Sequence, residues 1–90
     1  MYIGKVIGNA IATTKAEALL GRKFLLVRPG LESDSHAPIQ VAVDTVGAGI
    51  GETVLVVTGS PAQALNVTQG LPVDAAIVGI ISDFELMDNT

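Results

Sequence analysis

The sequence predicts an all-β, mainly β fold class: a small five-stranded OB-like β-barrel with one short helix near residues 61–68. Three observations carry that expectation. The chain has 90 residues, the size of one small domain. Its texture is short runs rich in Val and Ile separated by Gly, Pro, Ser and Asp clusters, the pattern of strands joined by turns. Glycines also fall inside those runs, where a tightly curved sheet needs bends or close backbone approach. No linker, low-complexity tract or internal repeat divides the chain, so residues 1–90 read as a single domain.

The first strand is expected over residues 2–13, with Gly4 and Gly8 as bend positions. Thr14-Lys15-Ala16-Glu17 has the spacing of a capping box ahead of Leu19, Leu20 and Gly21. Too few residues follow for a stable helix, and a turn or loop fits equally. The second strand is expected over 23–28 and the third over 39–46. In the third, Ile39, Val41 and Val43 share one face while Gln40, Ala42 and Asp44 share the other, the period-two pattern of a strand with one buried side. The fourth and fifth strands are expected over 53–58 and 74–86. Val54-Leu55-Val56-Val57 and the run from Ala75 to Ile81 are apolar on both faces, so both should be covered twice, by the barrel interior within and another subunit without. Gly79 marks a further bend. Between these strands, Ser60-Pro61-Ala62-Gln63 places Ser at an N-cap, Pro at the first helical position and Gln at the third. The helix should pass Ala64, Leu65 and Val67, stop near Gly70 before Pro72, and plug one barrel mouth.

Composition bears on partners. The chain is 49% hydrophobic before its ten glycines are counted, and 16% charged. A domain this small has too little interior for so many apolar side chains, which predicts an exposed contact patch and a homo-oligomer. Charge is segregated. All five Lys and Arg residues (Lys5, Lys15, Arg22, Lys23 and Arg28) lie in the first 28 positions beside one acid, Glu17, a net of +4; the remaining 62 positions hold eight acids and no Lys or Arg, a net of −8 with His36 neutral. Two oppositely charged faces suit head-to-tail contacts that close into rings, although a chance distribution over a solvated surface gives the same count.

The same inventory excludes several function classes. A net charge of −4 and only three aromatics (Tyr2, Phe24 and Phe84) argue against nucleic acid, which needs a basic groove and stacking platforms. With no Cys there is no disulfide framework and no thiolate site, which fits a reducing, intracellular setting. The N-terminus lacks a signal-peptide pattern and no apolar run reaches membrane-spanning length, so neither export nor a membrane partner is expected.

Gly47-Ala48-Gly49-Ile50-Gly51-Glu52 superficially matches phosphate-cradling turns, but Thr53-Val54-Leu55 continues as strand where a cradle needs a helix. The expectation is a strand-to-strand loop whose glycines supply positive φ and which packs against a neighbouring copy. Ser60 is better explained as a cap than as a nucleophile served by His36 with Asp74 or Asp44. One His without Cys leaves no transition-metal set, and Glu32 with Asp34 is too sparse for a calcium loop. The loop also lacks the Lys of a lipoyl or biotinyl carrier. No catalytic residue, metal site or cofactor is therefore expected. The alternative to a structural role is an OB-fold binding module for single-stranded nucleic acid or another ligand.

Three ordered motifs then stand out: Asp44-x-Val46-Gly47-Ala48-Gly49-x-Gly51-Glu52-x-Val54-Leu55, Gly59-Ser60-x-Ala62, and Pro72-Val73-Asp74-Ala75-x-Ile77-Val78-x-Ile80. Together with the opening Ile3-Gly4-Lys5-Val6-Ile7-Gly8 and the Lys23-Phe24-Leu25-Leu26-Val27 strand, they resemble the EutN/CcmL family of bacterial microcompartment, carboxysome-type, shell vertex proteins. The resemblance covers nearly the whole chain. It implies a non-enzymatic structural protein, a single vertex domain whose homopentamer forms a tapered ring capping the five-fold corners of a polyhedral shell. Its implied partners are hexameric and pseudohexameric shell proteins, and its implied location is cytoplasmic, within the shell. Subunit interface or pore positions are then expected at Gly47, Ala48, Gly49, Gly51, Glu52, Gly59, Ser60 and Asp74. The chain departs from the family pattern at Gln63, where many relatives carry Arg, and in a short acidic tail after Phe84.

Overall fold

In the computed structural model, which describes residues 1–13, 15–31 and 36–83, five strands close into a barrel. They are β1 (Tyr2–Asn9), β2 (Phe24–Pro29), β3 (Gln40–Asp44), β4 (Thr53–Thr58) and β5 (Ala75–Ile81), in the order β1-β2-β3-β5-β4 with β4 returning to β1. All neighbouring pairs are antiparallel except β3 with β5, joined in parallel at Val43↔Ala76 and Asp44↔Ile77. This is the expected all-β, OB-like barrel, and closure leaves the small sheet no long free edge.

Curvature comes from two irregularities, at Ile7 of β1, which is skipped in the pairing with β2, and at Val78 of β5, which is skipped opposite Leu55 and Val56 of β4; at each an extra residue sharpens the local twist. Gly4 is required sterically. A Cβ there would fall 2.7 Å from Val27 Cγ1 and 2.9 Å from the Arg28 carbonyl oxygen, so β1 and β2 approach as closely as they do only because the side chain is missing. At Gly79 a Cβ would make an ordinary 3.6 Å contact with Leu55, so close approach is not its reason.

Val6, Leu25, Val27, Val54, Val56 and Ile77 fill the barrel with Ala42, Ala48 and Ala75. Each fully buried aliphatic side chain contributes about 1.5–3 kcal/mol of transfer free energy. A second cluster lies on the other face of the same strands. Val43, Val57 and Ala76 alternate with the interior residues and meet Ala62 and Val73, with Leu65 and Leu71 packed against them. The outer faces of β4 and β5 are thus covered at these positions by the chain's own 60–73 segment, where another subunit was expected.

Three expectations need correction. The β3 face bearing Ile39, Val41 and Val43 is the outer one: Ala42 points into the barrel, while Ile39 and Val41 stay 50% and 48% exposed. Alternation identifies two faces but not which one faces inward, and beside the large side chains of β2 the interior has room for Ala. The expected helix is only the 3-10 turn Ser60–Gln63, followed by turns; it lies over the outer face of the sheet and does not plug a mouth. Its cap residue is Gly59, at φ 66°, and no side chain caps it. The Gln63 amide donates to the Val73 carbonyl at 2.9 Å rather than reaching back to Ser60. The other capping-box candidate yields the 3-10 turn Glu17–Leu19, again without a side-chain cap.

β1 and β3 end earlier than expected, and β2 is shifted by one residue toward the C-terminus. β1 stops at Asn9, just before the Ala10 amide makes its bond to Phe24 at the start of β2. β3 stops at Asp44, where the side chain turns the chain. Thr14, Glu32, Asp34 and residues 84–86 lie outside the described residues.

Candidate functional site

The Asp44–Glu52 loop is built by two carboxylates and one ammonium. Asp44 Oδ1 accepts from the Val46 and Ala48 amides at 3.1 and 3.2 Å, an Asx-type turn that begins where β3 ends. Lys23 lies 3.8 Å from Asp44 Oδ2, and its Nζ donates to the Ala48 carbonyl at 2.8 Å. The Asp44 side chain is only 3% exposed, so these bonds replace the water it gives up. Glu52 Oε1 accepts from the Gly49 amide at 2.6 Å. The backbone then ties the loop to β1 through Gly51 N to Val6 O and Val6 N to Glu52 O, 2.8 and 3.0 Å.

Ala48 is fully buried and joins the barrel core, so the loop is anchored at its middle while Ile50 stays exposed. Gly47 and Gly51 adopt φ of 78° and 93°, and Gly49 does not have a positive φ. The first two need the left-handed region that disfavours other residues. At Gly49 a Cβ would lie 3.4 Å from Glu52 Oε1, so that position is limited by the carboxylate clasp.

The remaining expected positions form a separate cluster. The Gly59 amide donates to the Asp74 carbonyl at 2.8 Å, and Ala62 N to Gly59 O at 3.0 Å, which holds Ser60 and Asp74 together at the surface. The Gly47–Glu52 loop precedes β4 and Gly59 follows it, so the two clusters stand about 17 Å apart along a six-residue strand. They do not make one site. They are two ends of the barrel, each braced by backbone bonds.

Two residues that matter to the loop were absent from the expected set. Asp44 could have been read from the sequence, because an Asp at the end of a strand and three positions before a glycine-rich stretch is a standard Asx-turn signal. Lys23 is brought in by the β2–β3 pairing from 25 residues before Ala48, and no local signal marks it.

A third feature lies on the outer surface of β2 and β3. Ile11, Leu19, Phe24 and Val41 line an open cleft with Ala10 and Ala12, and the Lys15 ammonium sits 5.4 Å from the centre of the Phe24 ring, within cation–π range. Lys15, Arg22 and Lys23 border its polar side. Among the described residues, no group of three or more His, Cys, Asp and Glu side chains could hold a metal ion, and no helix is long and apolar enough to cross a membrane.

A family model described as ethanolamine utilisation protein EutN/carboxysome matches residues 1–82. The chain belongs to the EutN/CcmL family. It is similar to the bacterial microcompartment shell vertex protein GrpN of Rhodospirillum rubrum, 44% identical over 98% of this chain and 100% of GrpN. It is also similar to the carboxysome shell vertex protein CcmL of Gloeobacter violaceus, 40% identical over 99% of this chain and 89% of that protein. The solved structure of the R. rubrum GrpN pentameric microcompartment shell protein superposes with a TM-score of 0.78 at 42% identity, covering 98% of this chain and all of the other. These EutN/CcmL relatives share the barrel through almost its whole length.

Proposed function

We propose that this chain is a structural shell protein of a bacterial microcompartment, whose homopentamer caps the five-fold vertices of the polyhedral shell beside hexameric and pseudohexameric tiles in the cytoplasm. The observation that carries the reading is the likeness, from end to end, to a pentameric shell protein. The molecule's own physics supports it. A five-fold ring can only be heterologous, each copy presenting two different surfaces; this chain has its charge segregated along the sequence, and its barrel leaves apolar side chains exposed outside the core. The braced loop at Gly47, Ala48, Gly49, Gly51 and Glu52, and the turn joining Gly59, Ser60 and Asp74, then shape subunit contacts or the ring's narrow end. The role is assembly rather than catalysis, and it needs no cofactor, nucleic acid or membrane.

The test is reconstitution of shells from hexameric tiles of the cognate compartment, with and without this protein, viewed by electron microscopy. With the protein, closed particles should carry density at their corners. Without it, corners should be open or shells elongated. Shells that close equally well in its absence, with no protein at the vertices, would overturn the reading.

A further inference from the structure

The outer cleft is a misfit for an isolated barrel. Ile11 is 88% exposed and Val41 48% exposed, and with Leu19 and Phe24 they make a surface almost without polar groups. A barrel strand whose outer face met water would carry polar residues at Phe24 and Val41. Its border carries Lys15 and Arg22, with the Lys23 ammonium beside them already held by Asp44 and the Ala48 carbonyl. The opposite character is found along β5. Asp74 and Asp83, both exposed, flank that strand, and Ile80 is partly exposed between them. Beyond Ile77, β5 also has a strand partner on one side only among the described residues, because its pairing with β3 ends there.

We propose that the cleft formed by Ile11, Leu19, Phe24 and Val41 receives the β5 side of a second copy of this chain. The basic border then meets the acids that flank β5. The contact is heterologous, so every copy offers one cleft and one β5 side, which is the requirement for a closed ring. The proposal rests on the pentamer reading and adds which surfaces meet.

The chain has no Cys, which makes placed cysteines clean reporters. A double variant, Ile11→Cys with Asp83→Cys, treated with a short bismaleimide, should give a ladder of covalent oligomers up to the ring. The single variants treated alike should not go beyond trace dimer. Val41→Asp should raise the concentration at which the oligomer dissociates by about tenfold or more, while circular dichroism shows an intact barrel. A wild-type oligomer that gives no ladder from the double variant overturns the assignment of surfaces and leaves the pentamer reading standing. A wild-type protein that is monomeric by native mass spectrometry overturns that reading itself. If Val41→Asp does not fold, the cross-linking decides alone.

Discussion

The barrel interior and the outer cleft are lined by the same kinds of side chain, yet their environments differ completely. Leu25, Val27, Val54, Val56 and Ile77 are sealed from water, while Ile11, Val41 and Ile39 lie substantially in it. β3 shows the contrast between adjacent residues, since Ala42 points inward and is sealed while Val41 points outward and is 48% exposed. A hydrophobicity count treats the two regions alike. Geometry separates them: the interior is what makes this chain a barrel, and the outer apolar surface is what suits the barrel to a neighbour.

That contrast can be broken at several points. The largest effect should come from Leu25→Ala, which deletes buried volume and is expected to cost about 2–5 kcal/mol. Urea unfolding should show the loss at every protein concentration. Ile11→Ser, by contrast, should leave the barrel's own stability within about 0.5 kcal/mol. Equal effects from these two would mean that the cleft is part of the core.

Asp44→Ala should cost about 1–3 kcal/mol, because it leaves the Val46 and Ala48 amides without their acceptor and the Lys23 ammonium without its counter-ion. Hydrogen exchange should localise the loosening to the 45–52 loop, and a change spread evenly over the barrel would argue against the clasp. Gly51→Val comes next, at about 1–2 kcal/mol for a β-branched residue forced to φ of 93°. The corresponding change at Gly49 should act less through the backbone and more by displacing the Glu52 carboxylate.

The smallest effect is pH dependence at Tyr2. Burial raises its phenol above the usual value of 10.0, and its hydroxyl donates to Gln40 Oε1, which requires the protonated form. A raised pKa in the folded state means that the fold holds the proton more tightly than the unfolded chain does. This stabilising contribution is therefore complete below pH 10 and is lost as pH rises through the higher folded value. Thermal melts across alkaline pH should show a shallower decline for Tyr2→Phe than for wild type, and identical slopes would remove Tyr2 as the cause.

How much of this was legible in the sequence varies with the range of the interaction involved. β4 matches its expected limits at Thr53–Thr58, because a Val-rich run bounded by Gly51 and Gly59 is a local signal. β1 was expected four residues too long: Ala10-Ile11-Ala12 reads as apolar strand, and only the position where β2 begins shows that pairing ends there. The inward face of β3, which carries Ala42, was likewise not legible, because alternation is local and orientation belongs to the whole barrel. At the loop, the glycines were visible but the roles of Gly47 and Gly51 as against Gly49 were not, since φ is fixed by the Asp44 and Glu52 clasps. The Lys23 contact depends on strand pairing and left no trace in the residues around it.

The central claim is that this barrel exists as a five-fold ring, and native mass spectrometry of the purified protein across a dilution series tests it most directly. The account predicts a dominant species of five 9.2 kDa chains that falls apart only at low concentration. A monomer at every concentration would contradict it, and the exposed apolar cleft would then have no partner among copies of the same chain.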